Sequence, residues 1–203
     1  MFEWIVAVLE GLGALGVFLL MLLENVFPPI PSEVILPLAG YAAAKSGGSL
    51  AVAITAGTLG SVAGALIWYY VGRWIGIERL KRFGERHGRW LTLSKEEVEH
   101  VDRWFNRYGH WAVLLGRMVP GVRTLISVPA GVTRMPLAPF LLWTLIGSAV
   151  WTGLLVLAGY ELGERYGQVA QVIEFGSNVV LGGAILWYLW RVATFGRKRS
   201  RTM

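Results

Sequence analysis

Apolar residues fall in long runs, unlike the alternation of a half-buried strand or the single stripe of a surface helix. Residues 49–72 and 137–160 carry no charged side chain, and at 24 residues each they exceed the roughly 20 needed to cross a bilayer as a helix. Two further runs are long enough to matter. Trp4–Leu23 spans 20 residues with Glu10 near its start, so it either crosses the membrane or lies in its interface, and Phe175–Trp190 makes a last span.

Between these runs lie two apolar stretches that cannot be continuous helices. Residues 24–48 contain Pro28, Pro29, Pro31 and Pro37, and residues 107–134 contain the pair Pro120-Gly121. Proline removes a backbone donor and pushes its predecessor out of the helical region, while glycine accepts a turn of either hand. Each stretch therefore reads as helix, break, helix. Broken backbone at membrane depth is tolerated where protein or a water-filled cavity surrounds it, which predicts two re-entrant hairpins.

The hairpins carry the charges that need explaining. Arg117 and Arg123 flank the Pro120-Gly121 break, and two unpartnered arginines at mid-bilayer would oppose insertion by about 5–7 kcal/mol. Glu24 and Glu33 sit in the first hairpin, with Ser32 placed to cap a half-helix whose first turn holds Glu33 at the positive end of the dipole. Acids and arginines at this depth mark a pathway more often than a fastener. A buried Glu33–arginine salt bridge that only fixes the hairpins is the plain alternative, and both glutamates could instead sit in wet headgroups.

Composition agrees with a membrane setting: 55% of the 203 residues are hydrophobic and 16% are charged, with a mean hydropathy of +0.53. The net charge of +6 does not point to nucleic acid. Nine bases against six acids gather in 73–107, and five bases without an acid in the tail 191–203, both beside apolar runs, where they act as cytoplasmic topology signals facing anionic lipids. Ser94 opens a capping box for an amphipathic helix bearing Val98, Val101, Trp104, Phe105 and Tyr108 on one face. Trp68, Tyr69 and Tyr70 mark a membrane interface. With no cysteine, and with His87, His100 and His110 at no metal-ligand spacing, no metal or cofactor is expected.

The two halves repeat. Leu50-Ala51, Gly60-Ser61, Gly72 and Gly76 match Leu137-Ala138, Gly147-Ser148, Gly159 and Gly163 at an offset of 87, and PLAG at 37–40 resembles VPAG at 128–131 with four fewer residues in the second connection. If both basic stretches are cytoplasmic, the two hairpins enter from opposite faces. The expected fold is an all-α single membrane domain over 1–203: repeat one at 24–76, an amphipathic linker at 77–108, an inverted repeat two at 109–163, and a C-terminal span and tail at 168–203. Such inverted repeats in secondary transporters bring broken helices together near the midplane.

ENVFPPIPSE at 24–33, LGRMVPGVRT at 115–124, the PAG at 129–131 and the Gly60 and Gly147 spans closely resemble the DedA family, also described as the SNARE-associated or VTT-domain group. The resemblance covers nearly the whole chain. It implies two facing re-entrant hairpins and transport of lipid carriers, in bacterial members the return of undecaprenyl phosphate across the cytoplasmic membrane, with membrane-potential or proton homeostasis in others. The family's essential hairpin glutamate and two arginines fall on Glu33, Arg117 and Arg123. Where some members have a second acid, this chain has Lys45, which leaves Glu24 as the other candidate carboxylate for proton coupling.

Arginine suits a phosphate cargo because its guanidinium stays charged and forks onto phosphate oxygens, and a half-helix opening at Gly121 would add backbone donors. A phosphorylated polyprenyl lipid, coupled to protons or another ion, is the cargo expected. A proton-coupled cation or drug exchanger is a second reading, though paired arginines suit a cation poorly. A membrane lipid phosphatase is a third, and it lacks an evident nucleophile or metal set, since the one aspartate is Asp102 in the linker.

Overall fold

The computed structural model describes residues 2–27, 32–91, 95–119 and 122–162, and for 2–3, 46, 80–91, 95–102 and 106 the backbone alone. Eight helices are found among the described residues: α1 (Phe2–Leu12), α2 (Ala14–Val26), α3 (Ser32–Ser46), α4 (Leu50–Leu91), α5 (Lys95–Arg117), α6 (Val122–Leu125), α7 (Ser127–Val132) and α8 (Leu137–Leu162). The expected last span, the basic tail, the Ser94 cap and the Pro120-Gly121 pair lie outside the described residues.

Two helices are long and apolar enough to cross a membrane, Leu50–Arg79 within α4 and the whole of α8. Their surfaces are arranged inside out relative to a soluble protein. On α8, Leu142, Leu145, Ile146, Val150, Leu154 and Leu157 are exposed, whereas Thr144, Ser148 and Thr152 are buried. An apolar belt around a polar interior is what a hydrocarbon solvent selects, since tails cannot hydrogen-bond the polar groups.

The first apolar run divides where its length suggested one helix. Gly13 takes φ +53°, a left-handed conformation that separates α1 from α2. At 13 residues α2 reaches about 20 Å, short of the roughly 30 Å hydrocarbon core. It ends at the proline cluster, so α2 and α3 flank the first break, and the first broken pair starts at Ala14 instead of Glu24. Pro37 does not end α3; it sits inside it, one turn from the start.

The second broken segment follows its expected form. α5 runs from the linker without interruption to Arg117, and after the break α6 and α7 continue to Val132. The slight interruption at Ile126 follows from Pro129, which cannot donate to the carbonyl four residues back. α4 is longer than expected: it passes beyond residue 72 to Leu91, with Gly76 at φ +65° inside it.

Glycines set how closely the two halves pack. A Cβ at Gly72 would strike the Val128 carbonyl oxygen, and one at Gly159 would strike that of Pro37. The glycines are 87 apart and their partners 91 apart. A second set behaves alike: Gly40 faces the Val156 carbonyl and Gly131 faces that of Tyr69. Each contact thus occurs twice, with the roles of the halves exchanged. Small residues permit such backbone approach where no hydrophobic force drives helices together.

α3 and α7 close in the same way. Gly48 N–H donates to Ala43 O at 2.9 Å and Met135 N–H to Ala130 O at 3.0 Å, each spanning a left-handed residue, Gly47 at φ +69° and Arg134 at φ +55°. A left-handed non-glycine residue costs about 1–2 kcal/mol. Arg134→Gly is therefore expected to hold or raise stability by up to about 1 kcal/mol, and Gly47→Ala to lower it by about as much, as read from unfolding midpoints in detergent.

Tyr69 is not an interface anchor. It is fully buried, donates to the Met135 carbonyl, accepts from Arg73 Nη1 at 2.8 Å and stacks on Phe140 with centroids 4.5 Å apart. Of the three aromatic residues only Tyr70 faces outward; Trp68 Nε1 donates to the Asn25 carbonyl oxygen at 2.8 Å. In the linker helix, Trp104 and Tyr108 are exposed and Phe105 is buried against the second core cluster.

Candidate functional site

The two breaks deliver their charges to one place. Glu24 stands in the last turn of α2, Arg117 ends α5, and Arg123 lies just past the second break in α6. All three are buried, Arg117 to 2% exposure. Arg123 Nη2 forms an ion pair with Glu24 Oε1. Glu33, buried in the first turn of α3, and Arg117 both lie within electrostatic range of Glu24. Two carboxylates and two guanidiniums therefore balance in charge inside the bundle.

Asn25 and Ser127 complete the cluster. The Asn25 amide donates to Glu24 Oε2 at 3.1 Å and to the Met21 carbonyl at 3.2 Å, and its Oδ1 accepts from Arg117 Nη1 at a long 3.4 Å. Arg117 Nη2 donates to Ser127 Oγ at 2.9 Å. Asn25 thus joins the acid of the first break to the arginine of the second, while Trp68 holds its backbone. A search for intramembrane charges passes over both residues because neither is ionisable. Their position was nonetheless the available signal: Asn25 follows Glu24 directly, and Ser127 is, with Thr124, an uncharged polar residue just after the second break in an apolar run.

Of the expected site residues, Glu24, Arg117 and Arg123 are brought together and Glu33 is placed beside them, whereas Gly121 lies outside the described residues. Arg123 is paired with Glu24, and Glu33 lies close enough to act on Glu24 electrostatically. The backbone donors differ from the sequence reading. The N–H groups of Val122 and Arg123 both donate to the Val119 carbonyl, at 3.2 Å each, so these two are committed within the chain.

A polar, charge-balanced cluster inside an apolar-coated helical bundle defines an integral membrane protein organised around an internal ionic site. The VTT domain matches residues 30–161, and the chain belongs to that family, the DedA group of membrane proteins. It is 38% identical over 189 residues to undecaprenyl phosphate transporter A of Staphylococcus aureus, covering 93% of each chain, and 30% identical over 164 residues to the Bacillus subtilis protein of that name, covering 81% of this chain and 79% of the other. It is also 38% identical over 198 residues to an alkaline phosphatase-like protein of Lactococcus lactis subsp. cremoris, covering 97% of this chain and 92% of that one. No solved structure matches the chain.

Proposed function

We propose that this protein moves a phosphorylated polyprenyl lipid of the undecaprenyl phosphate type across the cytoplasmic membrane. The observation that carries the reading is the burial of Arg117 and Arg123 together beside Glu24 at two helix breaks. Similarity to two undecaprenyl phosphate transporters supports the same cargo. A guanidinium binds phosphate oxygens by charge-assisted hydrogen bonds, and its pairing with a carboxylate keeps the bundle neutral between cargoes.

In this mechanism the lipid phosphate competes with Glu24 for Arg123. When the phosphate engages the guanidinium, it brings roughly one to two negative charges into a cluster that is neutral without it. Protonation of Glu24 offsets one of these charges, and release of that proton on departure of the phosphate restores the ion pair. Coupling to protons follows from this exchange, with Glu33 as the second carboxylate that can share the load.

Alternating access requires two arrangements of the same elements. We take the α2–α3 and α5–α7 pairs as re-entrant hairpins entering from opposite faces, an inverted repeat supported by the glycine contacts that occur twice with roles exchanged. The linker and tail are then cytoplasmic. Single cysteines introduced by Ser94→Cys and Ser200→Cys, on a chain that has none of its own, should label from the cytoplasmic side alone. Labelling of either from outside rules out the inverted arrangement.

Vesicles containing purified protein and labelled undecaprenyl phosphate test the function. Protein-dependent exposure of the inner-leaflet phosphate, with the lipid recovered intact, is expected. Release of inorganic phosphate would instead assign lipid hydrolysis.

A further inference from the structure

The hydroxyl groups left over once the ionic cluster is complete gather on one side of the bundle. Thr144, Ser148 and Thr152 recur at every fourth residue of α8, so they share one face, and all three are buried. A Cβ at Gly147, beside Ser148, would lie 2.8 Å from Arg117 Cβ, and one at Gly57, beside Thr58, would lie 2.9 Å from Thr152 Cγ2. The helix carrying this face thus packs against Arg117 at Gly147, and Thr152 packs against α4 at Gly57, the neighbour of Thr58. Toward the helix ends the face turns apolar, with Phe140 stacked on Tyr69 and Val156 packed against Gly40.

A hydroxyl inside a membrane helix ordinarily donates to the carbonyl four residues back. Thr55 does so to Ala51 at 2.7 Å and Thr133 to Pro129 at 2.9 Å. Thr58, Thr144 and Thr152 do not: their hydroxyls are buried and have no hydrogen-bond partner, and the same holds for Arg117 Nε. One uncommitted hydroxyl is a tolerable defect. Three across the α4–α8 contact, beside an uncommitted guanidinium N–H, form a surface ready for a polar occupant.

We propose that this face is a second anion station, a water-accessible chamber whose hydroxyls receive phosphate oxygens from Arg117. It rests on the lipid-phosphate reading above and adds the residues that hold the headgroup after the arginines release it. Neutral hydroxyls donate to phosphate more weakly than guanidinium does, which suits a station the headgroup must leave. Entry is from the Arg117 side, because the two ends of the face are closed by apolar contacts.

The absence of native cysteine makes access directly measurable in the reconstituted full chain. A small aqueous thiol reagent should modify Thr144→Cys and Thr152→Cys about tenfold faster than Val113→Cys and Val156→Cys, whose positions are equally buried but apolar. Millimolar inorganic phosphate should slow the first pair severalfold and leave the controls unchanged. Rates equal to the controls would overturn the chamber, and fast labelling that phosphate does not slow would overturn its assignment to an anion. The near-isosteric Thr144→Val and Thr152→Val give an independent reading: lipid-phosphate exchange should fall severalfold with the unfolding midpoint unchanged or raised, since no hydrogen bond is lost. A lowered midpoint with normal exchange would make the face structural. Failure of the wild-type protein to exchange lipid would strike the transport reading alone, because labelling and its protection are read without transport.

Discussion

Glu24→Gln is expected to lower stability by about 3–5 kcal/mol and to stop lipid-phosphate exchange, because it leaves Arg123 buried without its carboxylate. The cluster would then hold two guanidiniums against Glu33 alone. Removing the orphaned charge as well should recover much of the loss, so Glu24→Gln combined with Arg123→Gln is expected to be more stable than the sum of the single changes predicts. A coupling of about 0.5–3 kcal/mol is the range for residues in contact. Denaturant unfolding in detergent measures all four proteins, and strict additivity of the Glu24 and Arg123 changes would mean that the two groups do not meet.

Gly159→Ala and Gly131→Ala are expected to be the most damaging changes of a single methyl group. The added carbon of Gly131→Ala would meet the Tyr69 carbonyl oxygen and lie 2.7 Å from Arg73 N, and that of Gly159→Ala would meet the backbone of Pro37. Backbone on both sides leaves no flexible side chain to give way, so the helices must separate, at a cost of about 1–3 kcal/mol or more. Separation at these points would also disturb the breaks, since Pro37 lies one turn from Glu33 and Gly131 one turn from Ser127. Gly153→Ala is the matched control: nothing lies within 4 Å of the added carbon, and the helix gains up to about 1 kcal/mol from propensity. Equal unfolding midpoints for all three variants would show that the glycines do not set the helix spacing.

Much of this was legible in the chain. Proline and glycine located both breaks because their backbone restrictions act wherever they stand, and the cost of buried charge pointed to Glu33, Glu24, Arg117 and Arg123 without a structure. Three features were not legible for physical reasons. Hydropathy could not divide Trp4–Leu23, because the Gly13 turn is as apolar as the helices it joins. Composition could not single out Glu24 as a partner of Arg123, since Glu24 and Glu33 lie at the same break and the pairing depends on how the helices on either side of the two breaks meet. Tyr69 had the sequence context of a membrane-interface aromatic, and its burial depends on Met135 and Phe140, more than 60 residues away. Asn25 illustrates the general limit: it carries no charge to flag it, yet it joins the acid and the arginine on which the proposed chemistry rests.

The most direct measurement compares wild type, Arg117→Lys and Arg134→Lys at matched protein levels in vesicles, reading the rate at which labelled undecaprenyl phosphate crosses the bilayer. Arg117 donates through two nitrogens at once, to Asn25 and Ser127, and lysine keeps the charge but loses that planar fork. Arg134 is exposed at the end of α7 and its ammonium equivalent can reach the interface as well. The account predicts protein-dependent crossing in wild type and Arg134→Lys, and a loss of about tenfold or more in Arg117→Lys, the equivalent of about 1.4 kcal/mol. Crossing at wild-type rate by Arg117→Lys, or no crossing by wild type above empty vesicles, would contradict it.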